Sequence, residues 1–290
     1  MRPGIDVVVP VYEAREHVER CLESVLRHGR GDHRVVIVDD ASTTSELVDF
    51  LDRLAARYEH VVLLRNEKNL GFVGSANRGM RHAGDRDVVL LNSDTVVTRR
   101  FVAKLSSCAY DDERTGIVSP LTNNGTVCSV PRFMEDNEIP ASLSVDQFAV
   151  LVERASRRRR PELITAVGFC MFVRHDVIEK IGYFDEENFP RGYGEENDYS
   201  ERARAVGFRV RLCDDLFVAH AGSASFRDET EGRQGAGNDT MGRLYPTYHE
   251  RVQAFIRENP LAELHRDLAR EIEAWERAGF FGRKLRLLGL

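Results

Sequence analysis

Four short, wholly apolar runs, Val7–Val9, Val35–Val38, Val61–Leu64 and Val88–Leu91, recur in the first 120 residues with amphipathic stretches between them. A strand that is apolar on both faces must be covered on both faces. That condition is met by a parallel sheet with helices on each side. The intervening stretches supply those helices. Val18, Cys21, Leu22, Val25 and Leu26 follow the i, i+3, i+4 spacing of a half-buried helix, and Leu47, Phe50, Leu51 and Leu54 repeat it. The second stripe follows Asp39-Asp40-Ala41-Ser42-Thr43, a run of helix-capping residue types. Helices over Val73–Ala83 and Phe101–Ala109 continue the series, so residues 1–120 read as an α/β half with a mostly parallel sheet.

The pattern changes after Pro120. Residues 121–161 hold turn formers and one short helix, Val145 to Arg154. Strands are expected at Leu163–Val167 and Phe169–Val173, then helices at His175–Ile181 and from Glu195 to Val206, stopped by Gly207. Phe208–Cys213 and Leu216–Ala219 read as two further strands ending at His220. Residues 121–227 thus form a second half of the same domain. In 228–290, a Gly-, Asp-, Glu-, Arg- and Gln-rich stretch from Asp228 to Asn238 reads as a mobile loop, and the chain from Tyr245 onward reads as a helical C-terminal extension.

Several function classes fall away on composition. The apolar runs stop far short of the roughly 20 residues that cross a bilayer, and the first residues enter a strand rather than a secretory segment. The five cysteines are scattered without a Cys-x-x-Cys pair, which argues against disulfides and structural zinc and for a reducing, cytoplasmic compartment. A net charge of −6 gives no attraction to nucleic acid. The basic block Arg157–Arg160 reads as a solvated surface turn ahead of Pro161.

In an open parallel sheet, ligands bind beyond the carboxyl ends of the strands. Those ends carry Pro10-Val11-Tyr12, Asp39-Asp40, Arg65-Asn66 and Asn92-Ser93-Asp94-Thr95. No Gly-x-Gly-x-x-Gly loop follows the first strand to hold a pyrophosphate. A diphosphate here needs another partner, and a divalent cation on carboxylates meets that need. Each acid, taken singly, also reads as a cap of the following helix; two such ends converging point to a site.

Val8-Val9-Pro10-Val11-Tyr12, Val38-Asp39-Asp40-Ala41-Ser42-Thr43, Asn69-Leu70-Gly71-Phe72 with Asn77, Leu91-Asn92-Ser93-Asp94-Thr95, Gly194-Glu195-Glu196-Asn197-Asp198 and His220 stand in the order found in inverting family 2 glycosyltransferases. Over roughly residues 5 to 227 the chain resembles that family. Gly182-Tyr183-Phe184-Asp185-Glu186 and the later Arg-Ala…Gly-Phe run resemble its bacterial rhamnosyltransferase-like branch. The resemblance implies a GT-A fold, a UDP-, dTDP- or GDP-sugar donor, a saccharide or lipid-linked acceptor and single displacement assisted by Mn2+ or Mg2+, as in polysaccharide biosynthesis by hexosyl or deoxyhexosyl transfer.

Carried over by position, Asp40 accepts hydrogen bonds from the base, Pro10 and Tyr12 shape that pocket, and Asp39 fixes the turn or the ribose. Asn69 and Asn77 flank a loop near the ribose and diphosphate; a helix N-cap and a polar helix face are their plainer readings. Asp94 matches the last carboxylate of the family's Asp-x-Asp element and takes the metal. Asn92, at its first position, contacts the donor or a metal-bound water, with Ser93 beside it. His220 is the second metal ligand, Glu196 the base and Glu195 the preceding acid. Asp198 is a helix-start acid with Arg202 as its i+4 partner.

Two other functions fit the same strand ends. A sugar nucleotidyltransferase needs a Gly-rich, basic N-terminal loop that Gly4-Ile5-Asp6 does not supply. A degenerate nucleotide-sugar-binding relative is favoured by Asn92 and disfavoured by Asp94, Glu196 and His220. The basic, apolar end of the chain, Phe280–Leu288, has two readings: a peripheral contact with an anionic membrane surface at its inner face, or a helix packed on the core or on a second subunit.

Overall fold

The structure is a computed structural model that describes residues 2–29, 33–190, 192–222 and 227–278, with only the backbone of 227–234. The four apolar runs fold as β1 (Ile5–Val11), β2 (His33–Asp39), β3 (Val61–Arg65) and β4 (Asp87–Leu91), all parallel where they pair. Among the described residues they belong to a seven-stranded sheet of order β3-β2-β1-β4-β7-β6-β8. The remaining strands are β6 (Thr115–Leu121), β7 (Cys170–Val173) and β8 (Arg209–Phe217). β7 runs antiparallel to both β4 and β6, and β6 and β8 are parallel. The sheet is therefore mostly parallel, as the apolar runs require.

The helices that cover it are α1 (Arg15–His28), α2 (Ser45–Arg57), α3 (Gly71–Ala83) and α4 (Phe101–Ala109). Val7, Val8 and Val9 are fully enclosed, and Val18, Cys21, Leu22 and Val25 of α1 are buried as their spacing demands. Each such side chain contributes roughly 1.5–3 kcal/mol when fully buried. One core cluster joins residues from both halves of the chain, from Val7 to Trp275. β2 and β3 lie on one side of β1 and β4 lies on the other, so the strand order reverses between β1 and β4. A crevice opens at such a switch point, beyond the carboxyl ends of the strands.

A small ribbon stands above that crevice. β5 (Thr95–Val96) pairs antiparallel with β9 (Ala219–His220), Thr95 opposite His220. The remaining helices are α5 (Val145–Ala155), α6 (His175–Ile181), α7 (Glu195–Ala205), α8 (Arg227–Leu244), α9 (Tyr248–Glu258) and α10 (Ala262–Arg277). Ser144 and Gln147 cap α5 reciprocally, satisfying two of its free N-terminal N–H groups.

Several elements differ from the sequence expectation. β6 went unmarked because Thr115-Gly116-Ile117-Val118-Ser119-Pro120-Leu121 offers only two adjacent branched apolar residues. Leu163–Val167 is not a strand: the Ala166 N–H and the Thr165 hydroxyl bond to Ser200 and Asn197 of α7 rather than to a ladder. The two strands expected over 208–219 are one continuous β8 followed by β9. The stretch 228–238 is helical, not a loop. It lies in α8, whose far end is anchored by buried Met241 against Phe189 and Tyr248, while its glycine-rich start leaves no apolar stripe to read.

The tail breaks into α9 and α10 at Asn259, left-handed at φ 38°, and Pro260. Arg157–Arg160 is not a merely solvated turn. Arg157 and Arg159 pair with Glu263, and Arg157 also with Asp267, clasping α10 to the body. Arg158 meets Asp215 and Arg160 meets Asp111. The segment Phe280–Leu288 lies outside the described residues. Among those described, no helix is long and apolar enough to cross a membrane.

Candidate active site

The crevice is a cleft of ≈ 910 Å³ whose walls include Asp40, Asn92, Asp94, Glu195, Glu196 and His220. Pro10, Tyr12, Asn69 and Ser93 line it as well. These residues come from separate strand ends and one helix start, and the sheet order brings them together.

On one side, Asp40 follows β2, and its N–H donates to the Val11 carbonyl at 2.8 Å, extending the β1–β2 pairing by one step. Its Oδ1 accepts from Asn66 Nδ2 (2.7 Å) and the Leu70 N–H (2.7 Å), and its Oδ2 from the Gly71 N–H (2.8 Å). Asn69 Oδ1 also accepts from the Gly71 N–H, at 3.1 Å. Gly71 sits at φ +76°, a conformation a side chain would strain, and so the loop turns tightly under Asp40. Tyr12 and Leu70 remain more than a third exposed at the rim, unusual for large apolar groups and suited to a planar ring.

Two expected site residues are elsewhere. Asp39 is buried and does not line the cleft; it accepts from the Ser42 N–H (3.0 Å) and Arg65 Nε (3.3 Å), so it fixes the turn and not a ribose. Asn77 does not reach the cleft either. It is fully enclosed on α3, donating to the Phe184 carbonyl (2.9 Å) and Glu186 (2.7 Å) and accepting from the Phe184 N–H (2.9 Å). Its amide pins α3 to the Gly182–Glu186 turn, which leaves nothing to offer a ligand.

On the other side, the β5–β9 ribbon sets Asp94 against His220, with Asp94 Oδ2 3.3 Å from Nε2. His220 Nδ1 is 2.7 Å from the Asn124 carbonyl, which can only accept, so the proton belongs on Nδ1. In the neutral ring the Nε2 lone pair then faces Asp94 and the cleft. This is the arrangement that orients a metal-ligating imidazole. Asn123 holds the same residue by its backbone, accepting from the His220 N–H (2.9 Å) and donating to its carbonyl (3.0 Å). Phe169 stacks on the ring, with centroids 5.5 Å apart. Burial acts to lower the His220 pKa, but the hydrogen bond and charge of Asp94 outweigh it and raise the value. Burial likewise acts to raise that of Asp94, and His220 holds it below the ordinary carboxylate value.

Asn92 completes this side. Its Oδ1 is buried and has no hydrogen-bond partner among the described residues, while its backbone carbonyl accepts from Thr95 (2.7 Å) and the Cys21 thiol (3.5 Å). An orphaned buried oxygen is costly, and a native site that keeps one commonly keeps it for a ligand. Among the described residues no group of three His, Cys, Asp or Glu converges to cage an ion. One carboxylate, one imidazole and one amide oxygen suit a cation that takes the rest of its shell from a bound phosphate.

Glu195 and Glu196 open α7, delivered by Gly192, Tyr193 and Gly194, all at positive φ. Glu195 is buried, and among the described residues its Oε2 finds no donor. Burial, then the Glu196 charge, raises its pKa well above the ordinary 4.5. Burial also raises that of Glu196, opposed by N–H donors at the helix start and by a hydrogen bond from Glu195. The two carboxyls therefore titrate as a pair in which the Glu196 charge favours the proton on Glu195 and a hydrogen bond from Glu195 favours the ionised form of Glu196. Asp198 pairs with Arg202 (2.7 Å), as its spacing requires, and also takes the Tyr245 hydroxyl (2.7 Å).

Sequence reasoning missed the residues that hold the His220 ring and backbone: Asn123, Asn124 and Phe169. Thr122-Asn123-Asn124-Gly125 carried a turn signal, yet nothing local tied that turn to His220, 97 residues from Asn123.

A sequence profile described as "Glycosyl transferase family 2" matches residues 6–182. Glycosyltransferase AglE of Haloferax volcanii is 21% identical over 75% of this chain and 67% of its own length. An N-acetylglucosaminyltransferase of Azorhizobium caulinodans is 24% identical over 72% of this chain, which spans about half (53%) of that relative. Among solved structures, the mannosyltransferase PcManGT of Pyrobaculum calidifontis, in complex with GDP-Man and Mn2+, superposes with a TM-score of 0.65 at 18% identity, over 100% of this chain and 80% of its own. That likeness shows a shared GT-A type fold.

Proposed function

The chain belongs to glycosyl transferase family 2, and from that premise we propose that it is an inverting enzyme. It moves a hexosyl or deoxyhexosyl group from a nucleoside-diphosphate donor to a hydroxyl of a saccharide or lipid-linked acceptor. The observation that carries the reading is the meeting, in one cleft, of the Asp94–His220 pair and orphaned Asn92 with the Glu195–Glu196 pair.

The roles follow from the environments. A divalent cation, Mn2+ or Mg2+, held by Asp94 and His220 with Asn92 beside it, supplies neutralisation of charge on the leaving diphosphate. Asp40 with Pro10, Tyr12 and Asn69 receives the nucleoside, and Ser93 lines the same cleft beside Asn92 and Asp94. Glu196 takes the acceptor's hydroxyl proton as that oxygen bonds to C1; the C1–O bond to the diphosphate breaks on the opposite face, and configuration inverts. Glu195 keeps its proton and steadies the ionised form of Glu196.

The direct test is release of nucleoside diphosphate from a panel of nucleotide sugars, with Mn2+ and with chelator. Metal-dependent release with at least one donor, lost in Asp94→Ala, is the expected result. Absence of release with every donor, with and without simple sugar acceptors, overturns the reading. Binding without release points to the non-catalytic alternative.

A further inference from the structure

The hydrogen bonds that Asp40 already makes limit what it can take from a ligand. A carboxylate offers about four acceptor sites, two on each oxygen. Oδ1 is filled by Asn66 Nδ2 and the Leu70 N–H, both at 2.7 Å. Oδ2 holds the Gly71 N–H at 2.8 Å and, among the described residues, keeps one site free. None of the three donors swings away easily. Two are backbone amides of one loop, and Asn66 is held by Ser75 (2.8 Å) and by Arg78 on its Oδ1.

We propose that the donor's base is uracil or thymine and that guanine and cytosine are disfavoured; the proposal rests on the nucleotide-sugar reading above. Uracil and thymine present one ring N–H, at N3, which one carboxylate site satisfies. Guanine presents N1–H and N2–H side by side, and a carboxylate pairs with both by using one oxygen for each. Oδ1 has no site to give, so one guanine N–H goes unpaired, a loss of roughly 5- to 150-fold in affinity. Cytosine can donate to that one site only through its exocyclic N4 amino group, which brings the unprotonated N3 alongside the carboxylate and sets two acceptors side by side. The exposed faces of Tyr12 and Leu70 at the rim accept any ring and do not discriminate.

Calorimetric titration of the full chain with UDP, dTDP, GDP and CDP in the presence of Mn2+ tests this. UDP and dTDP are expected to bind at least ~10-fold more tightly than GDP and CDP. In Asn66→Ala one Oδ1 site is freed, and the ratio of UDP to GDP affinity falls several-fold. GDP binding as tightly as UDP overturns the base assignment and leaves the glycosyltransferase reading standing. An unchanged ratio in a folded Asn66→Ala overturns the site-counting argument. Failure of all four nucleotides to bind overturns the nucleotide-sugar reading itself, and the base assignment with it.

Discussion

Glu195 and Glu196 are adjacent in the chain, and burial raises the pKa of both. The Glu196 charge raises that of Glu195 further while a hydrogen bond from Glu195 lowers that of Glu196, and that difference assigns their work in the proposed reaction. An ionised Glu196 is the base, so Glu196→Gln should lower kcat by about 10²–10⁴-fold with donor affinity retained. Because burial raises its pKa, the acid limb of the kcat/KM profile should lie above the ordinary glutamate value of 4.5. Glu195→Ala removes a donor that lowers the Glu196 pKa, and should move that limb to higher pH; Glu195→Gln keeps a donor and should not. Stability supplies an independent reading. A carboxyl whose folded pKa is raised binds its proton more tightly folded than unfolded, so stability is fully present below 4.5 and is lost as pH rises through the raised value. Glu195→Gln should therefore raise Tm at pH 8 and leave it unchanged near pH 4. At the metal side, Asn92→Asp places a charge at the orphaned oxygen and should tighten Mn2+ binding about 10-fold in titration. Asp40, Asp94, Glu196 and His220 were legible because each stands where a strand or helix ends at the crevice. Asp39 shares that look and Asn77 follows the Asn69 loop half-way along α3, but their side chains turn inward, and only packing reveals it.

At the scale of elements, periodicity exposed what is buried on both faces and missed what is held by contact with something distant. β1 to β4 were readable because a doubly covered strand must be apolar throughout. β6 lies deep in the same sheet, yet it carries Gly116, Ser119 and Pro120 and escapes the pattern. α8 is the sharper instance. A Cβ on Gly237 would lie 1.7 Å from the Tyr193 carbonyl oxygen, so the helix packs backbone against backbone on the turn that delivers Glu195 and Glu196. A glycine-rich run is what such an approach demands, though read alone it resembles a loop. Gly237→Ala should push the turn and misplace the base by a fraction of an ångström to an ångström, lowering kcat up to about 10²-fold. UDP–Mn2+ affinity should be unaffected, since Asp40, Asp94 and His220 stand on other elements. Equal turnover in the variant would remove α8 from the account of how the base is held.

Over the whole molecule, the last described helix completes a core that the first strand begins. Leu261, Leu268 and Trp275 bring the α10 region into the cluster that contains Val7, and α10 packs on α5. Around that apolar contact, Arg157 and Arg159 reach Glu263, and Arg154 reaches Glu271. These ion pairs are substantially exposed, and each is worth about 0–1 kcal/mol, so they orient the helix more than they hold it. The indole carries the larger share. Trp275→Ala should cost ~3–5 kcal/mol, a fall in Tm of roughly 6–20 °C for a chain of this size. The double variant Arg157→Ala, Arg159→Ala removes the pairs to Glu263 and Asp267 and should cost about 3 kcal/mol at most. Because α10 lines no part of the cleft, turnover per folded molecule measured well below the transition should be the same in both variants as in the parent. A loss of turnover without a loss of stability would mean that α10 acts on the site through α5 and β8, and that the core transmits what it was thought only to support.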